Sequence, residues 1–155
     1  MHSRIFQVSE KPIKPTDYIN ESHYWDHWFT NEWADYVSDD CDRKDDIGWL
    51  EACYSKKGIE FGADDNGEYF IVKSKQAYFQ DSFNSFMEIA EKLKECTLDE
   101  FACGLDGMYL LKREYEDKFG FYVEEDDSLT TFDEFIRQCA TEEKYYIGAT
   151  IDYHC

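Results

Sequence analysis

Proline is almost absent from this 155-residue chain, occurring only as Pro12 and Pro15 near the start. The rest contains no Gly/Ser-rich linker, low-complexity tract or internal repeat, and so predicts one continuous domain over residues 1–155. Long apolar runs are missing as well. Their absence predicts neither a membrane span nor a secretory core segment, and hence a soluble, cytoplasmic protein. Positive charge is scarce: 16 Lys and Arg stand against 35 Asp and Glu, for a net charge of −19. A field of that sign opposes direct contact with DNA, RNA or anionic lipid and favours basic partners. G-x-S-x-G, the P-loop and G-x-G-x-x-G are also missing, which leaves hydrolase, nucleotide and dinucleotide sites without a motif.

Six cysteines are present (Cys41, Cys53, Cys96, Cys103, Cys139 and Cys155), yet the nearest two are seven positions apart. Structural zinc sites use closer pairs, and disulfides need an oxidising compartment, so reduced thiols serving as small apolar residues are expected. No cofactor is called for.

What is abundant is aromatic: 12 Phe, 12 Tyr and 4 Trp outnumber Leu, Ile and Val together. Such rings carry large buried area, and Tyr and Trp also need a polar outlet, which places many of them at the core boundary or at a binding face. Hydrophobic periodicity then orders the chain. Ser3–Ser9 alternates as a strand. From Ser22 to Ser38, Trp25, Trp28, Phe29, Trp33, Tyr36 and Val37 recur at three and four, which predicts a helix with His23 and His27 on its polar side. A short helix through Ile47, Leu50 and Tyr54 follows, then a hairpin of 59–63 and 68–73 about Asn66-Gly67. The strongest helical signal covers Lys75–Glu95. Capping boxes begin at Thr97 and Thr131, with a helix over Asp106–Phe119 between them and a brief strand at 121–123. In the last segment Tyr145, Ile147, Ala149, Ile151 and Tyr153 alternate as a strand with one shared face. Strands near both ends with helices between them predict an α+β fold: a mixed sheet of four or five strands with helices packed on at least one face.

Two kinds of site emerge. His23-Tyr24-Trp25-Asp26-His27 is similar in form to the inverted zinc-peptidase pattern H-x-x-E-H, and on a helix its two imidazoles would share a face. The acid is one methylene shorter than Glu, and such peptidases are far larger, so His23, Asp26 and His27 are read as surface residues, with a small metal-dependent enzyme as the alternative. The other kind is charge. Asp39, Asp40, Asp42, Asp45 and Asp46 form one cluster; Glu114, Glu116, Asp117, Glu124, Glu125, Asp126 and Asp127 form a second, opposed only by Lys118. The first lacks the glycine and terminal Glu of a calcium loop, and Asp64-Asp65-Asn66-Gly67-Glu68 is likewise read as a hairpin turn instead. Nineteen charges match about 32 Å of duplex, while a fold of this length spans about 38 Å, so the linear charge densities are comparable. The expectation is a non-enzymatic acidic protein that sequesters or inhibits a basic protein partner, possible targets including nucleic-acid-binding proteins met by charge mimicry. Size and charge resemble those of acidic inhibitors of nucleic-acid enzymes and of immunity proteins against basic toxins, without a shared motif. A structural role in a homo-oligomer is the third reading.

Overall fold

Alternating apolar residues at the two ends of the chain pair with each other and form the centre of the fold. The computed structural model describes residues 2–155. β1 (His2–Ser9) opens it, followed by two 3-10 turns (Pro15–Asp17 and Glu21–Tyr24), α1 (Trp28–Glu32) and β2 (Tyr36–Ser38). Next come α2 (Arg43–Tyr54), the hairpin of β3 (Ile59–Asp64) and β4 (Gly67–Val72), and the helices α3 (Lys75–Lys94), α4 (Leu98–Cys103) and α5 (Asp106–Tyr115). A second hairpin of β5 (Tyr122–Glu125) and β6 (Ser128–Thr131), then α6 (Phe132–Gln138) and β7 (Lys144–His154), complete the chain.

The class is α+β with a mixed sheet, but seven strands take part where four or five were expected. Their order is β3-β4-β7-β1-β5-β6, with β2 also paired to β7. Among the described residues, only β1 and β5 run parallel. The additional strands have weak signals. β6 follows an Asp126-Asp127 turn with φ of 49° and 62°, a left-handed pair that hairpins usually build with glycine. β2 lies inside the stretch whose apolar spacing predicted a helix over Ser22–Ser38. That helix does not form. Asp26 takes φ 62° and separates the 3-10 turn from α1, which has only five residues. Of the residues that set the spacing, Phe29 is buried on the sheet with Trp33 and Val37 partly covered, while Trp25, Trp28 and Tyr36 are exposed; Tyr24 and Ala34 complete the buried set. The helix expected over Asp106–Phe119 likewise stops at Tyr115, where Glu116 turns extended.

Strand β7 does not keep one face inward. Phe6 lies opposite Thr150 but Val8 opposite Ile147, so two steps along β1 match three along β7. The extra residue is a bulge at Gly148–Ala149, and it inverts the alternation. Tyr145 and Ile147 join Phe6 and Val8 on one face, under Leu50 of α2, Tyr78 of α3 and Phe132, Phe135 and Ile136 of α6. Ile151 and Tyr153 join Ile5 on the other, under Tyr24, Phe29 and Ala34. The expected single face for the odd residues from 145 to 153 is therefore corrected to two. Gln7 holds the bulge: its Oε1 accepts from the Ala149 and Ile19 amides at 3.1 and 3.2 Å, and its Nε2 donates to the Asp17 carbonyl. A Cβ on Gly148 would lie 2.5 Å from that same Oε1, so any larger residue would displace the Gln7 side chain that holds the bulge.

On its other edge β7 meets two short strands, β4 at Lys144–Tyr146 and β2 at Asp152–His154. The carbonyls of Ile147 and Gly148 fall in the gap between them. Arg43 fills it, donating from Nη2 to Ile147 and from Nε to Gly148, both at 2.6 Å. Buried backbone acceptors that lack a strand partner are thus satisfied by one forked side chain.

α3, α4 and α5 form a helical lobe beside this sheet. α3 and α5 meet closely at Gly107, where a Cβ would lie 2.8 Å from Leu93. Arg137 of α6 ties down the base, its guanidinium 4.6 Å from the Phe79 ring and 4.1 Å from the Tyr115 ring. The Thr97 capping box forms, with reciprocal bonds between Thr97 and Glu100. Cys41, Cys53, Cys96, Cys103 and Cys139 are unpaired thiols, and no helix among the described residues is long and apolar enough to cross a membrane.

Candidate functional site

The parallel pairing of β1 with β5 sets Glu124 opposite Gln7, on the face covered by the 3-10 turns. Asn20 caps the second of these turns by accepting from the Ser22 amide at 2.9 Å. The Thr30 hydroxyl secures its end by donating to the carbonyls of Tyr24 and His27. This rigid turn delivers two side chains to Glu124. The Tyr24 hydroxyl donates to Oε2 at 3.3 Å, and His23 Nε2 stands 3.4 Å from Oε1. Glu124 is 3% exposed, and its buried Oε1 has no hydrogen-bond partner. Across the hairpin turn, the Asp127 carboxylate completes a group with His23 and Glu124 in which all three donor atoms lie within 4.8 Å of one another.

Glu124 and Asp127 of this group also line a cleft of about 400 Å³ between the loop after β1 and the β5–β6 turn, together with Gln7, Lys11, Asp17 and Ile19. Burial raises the Glu124 pKa, opposed by the nearby His23, the Tyr24 hydroxyl and His27. The Tyr24 hydroxyl is held well above its ordinary range, first by burial and then by the adjoining carboxylate. A carboxyl placed this way, with an imidazole at one oxygen and a phenol at the other, can exchange a proton or bind a cation.

The H-x-x-D-H residues do not assemble into one site. Only His23 faces Glu124. His27 caps α1, its Nδ1 accepting from the Phe29 amide at 3.2 Å, and Asp26 is exposed in its left-handed turn.

The twelve acids separate in the same way. In the first cluster Asp39, Asp40 and Asp45 are exposed, and Asp42 caps α2 by accepting from the Lys44 and Asp45 amides. Asp46 is buried and accepts from Arg4 Nε at 2.6 Å and the Thr150 hydroxyl at 2.8 Å. In the second cluster Glu114 is half-buried beside Arg113, Glu116 accepts from the Thr131 hydroxyl, and Asp117 accepts from the Phe119 amide. Glu125 is half-buried, its pKa raised by burial and by the charges of Asp126 and Glu10. Asp126 and Asp127 are exposed at the turn. Asp46 and Glu124 are thus buried groups, engaged within the fold. The groups that hold them, Arg4 at Asp46 and Tyr24 and His23 at Glu124, have no local sequence signal, because these partners are distant in the chain.

No protein family, curated protein or solved structure matches this chain.

A second surface was also missed in the sequence. α4 and α5 bury no residue fully, and α3 buries only Tyr78. Leu98 is 81% exposed and Phe101 68%, and Phe83, Met87, Met108, Tyr109 and Tyr115 are exposed elsewhere on the same three helices. Periodicity predicted these helices but not that the sheet would leave their apolar residues uncovered.

Proposed function

We propose that the protein is a non-enzymatic binding protein that sequesters or inhibits a basic protein partner, with the helical lobe as its apolar anchor. The observation that carries this reading is α4. Its capping box fixes a short helix that contributes no buried side chain, while Leu98 and Phe101 stand in solvent next to Asp99 and Glu100. Apolar residues concentrated on one part of a soluble surface are a feature of interaction sites. Carboxylates around them favour a cationic surface and disfavour an anionic one. The exposed acids Asp39, Asp40, Asp45, Asp126 and Asp127 add to the long-range attraction, since they act through the net charge of −19 rather than through contact with the lobe.

The test is affinity capture at low ionic strength, followed by a salt titration of the complex recovered. Binding is expected to weaken steadily with salt, and Phe101→Ala to weaken it at least tenfold at fixed salt, as loss of a central aromatic anchor does. A complex indifferent to salt, one that Phe101→Ala leaves unchanged, or a lobe that sedimentation shows to be occupied by a second copy of the chain would overturn the reading.

A further inference from the structure

We propose that His23, Glu124 and Asp127 form a site for a divalent transition-metal ion of the zinc class, independent of the surface assigned to a protein partner. The ligand-facing observation is Glu124 Oε1, which is buried and accepts no hydrogen bond, with His23 Nε2 as a charge neighbour at 3.4 Å, in a group whose His23, Glu124 and Asp127 donor atoms lie within 4.8 Å of one another. Leaving a carboxylate oxygen unsatisfied in the interior is costly, and a cation there offsets that cost.

The spacing fits. Zinc bonds to imidazole nitrogen and carboxylate oxygen are about 2.0–2.2 Å, so two ligands of a tetrahedral ion lie about 3.4 Å apart. His23 Nε2 and Glu124 Oε1 are 3.4 Å apart. The Asp127 carboxylate is within 4.8 Å of the His23 and Glu124 donor atoms, on an exposed turn that lines the cleft, and supplies the third ligand. A neutral imidazole with two carboxylates balances a dication. The donor set of one nitrogen and two oxygens is what borderline cations accept, whereas calcium would demand six to eight oxygens. The Tyr24 hydroxyl bonded to Oε2 does for this carboxylate what outer hydrogen bonds do for metal ligands: it fixes the group with the other oxygen free. Three protein ligands leave a fourth position for water.

The probe is Zn²⁺ alone, titrated by calorimetry into the full chain carrying Cys53→Ser and Cys103→Ser, which removes the two exposed thiols as competing ligands. One equivalent is expected to bind. Asp127→Asn and His23→Ala should each weaken binding at least tenfold, while Asp26→Asn, which alters the acid of the linear motif, should stay within twofold of the parent. Asn adopts left-handed φ readily, so Asp127→Asn keeps the hairpin turn and remains informative even if His23→Ala fails to fold. Absence of stoichiometric uptake, unchanged affinity in Asp127→Asn, or an equal loss in Asp26→Asn would overturn the site.

Discussion

Replacing Arg43 with methionine tests the claim that a side chain stands in for a missing length of strand. Arg43 makes two charge-assisted bonds of 2.6 Å to the carbonyls of Ile147 and Gly148, and a third bond of 2.8 Å to Glu68. Hydrogen bonds to charged groups contribute about 1.5–3 kcal/mol each. The Arg43 side chain is 27% exposed, so water reaches part of the gap once the guanidinium is gone, and a total cost of about 3 kcal/mol is expected for the two backbone bonds. A chain of this size loses about 2–4 °C of Tm per kcal/mol, so Tm should fall by about 9 °C. Arg43→Lys should recover no more than about half, because an ammonium on a flexible stem does not reproduce two donors in a fixed fork. Glu68→Gln serves as the control. It removes an ion pair whose carboxylate is 44% exposed, and such pairs contribute about 1 kcal/mol or less. Thermal melts followed by far-UV circular dichroism measure all three. A Tm within 2 °C of the parent for Arg43→Met, or an equal loss from Glu68→Gln, would refute the reasoning.

Gly148→Ala should destabilise by about 1–3 kcal/mol, because the new methyl meets Gln7 Oε1 at 2.5 Å and the Gln7 Cδ and Ile13 Cδ1 atoms at 3.0 Å. Denaturant titration of the single variant and of its combination with Gln7→Ala reads the effect, and a purely additive pair would contradict direct contact. Glu68 has its pKa lowered chiefly by the hydrogen bond from Arg43. A depressed carboxyl stabilises above its unfolded value and loses that contribution as pH falls through the folded one. The stability difference between the parent and Glu68→Gln should therefore be present at neutral pH and vanish in acid; a difference that grows on acidification would reverse the assignment.

Local signals in the sequence carried the elements that local forces decide. Thr97 and Glu100 satisfy each other across three residues, Phe79, Phe83 and Phe86 recur on α3, and the β3–β4 hairpin needs only its own turn. Where an element answers to distant partners, the sequence misleads. Trp25, Trp28, Phe29 and Trp33 have helical spacing, yet only Phe29 is buried against the sheet, Trp33 packs beside it, Trp25 and Trp28 stand in solvent, and the backbone breaks at Asp26. β6 was hidden by a turn of two aspartates, since left-handed pairs are read from glycine. The acids show the same division. A count of carboxylates does not distinguish Asp45, which is exposed, from Asp46, which is locked between Arg4 and Thr150. His23 was legible as a candidate ligand, but the partner expected for it was its neighbour at i+4. The partner it meets lies a hundred residues away, on a strand aligned through β1.

The bulge at Gly148–Ala149 makes β7 a hinge pin shared by two hydrophobic halves. Because Ile147 and Ile151 are joined by a few bonds yet belong to opposite sides of the sheet, neither half can melt while the other keeps its end of the strand in place. Calorimetry should accordingly record one sharp transition for the body of the protein, and deleting a single residue from the bulge would turn half of β7 inside out instead of trimming a loop.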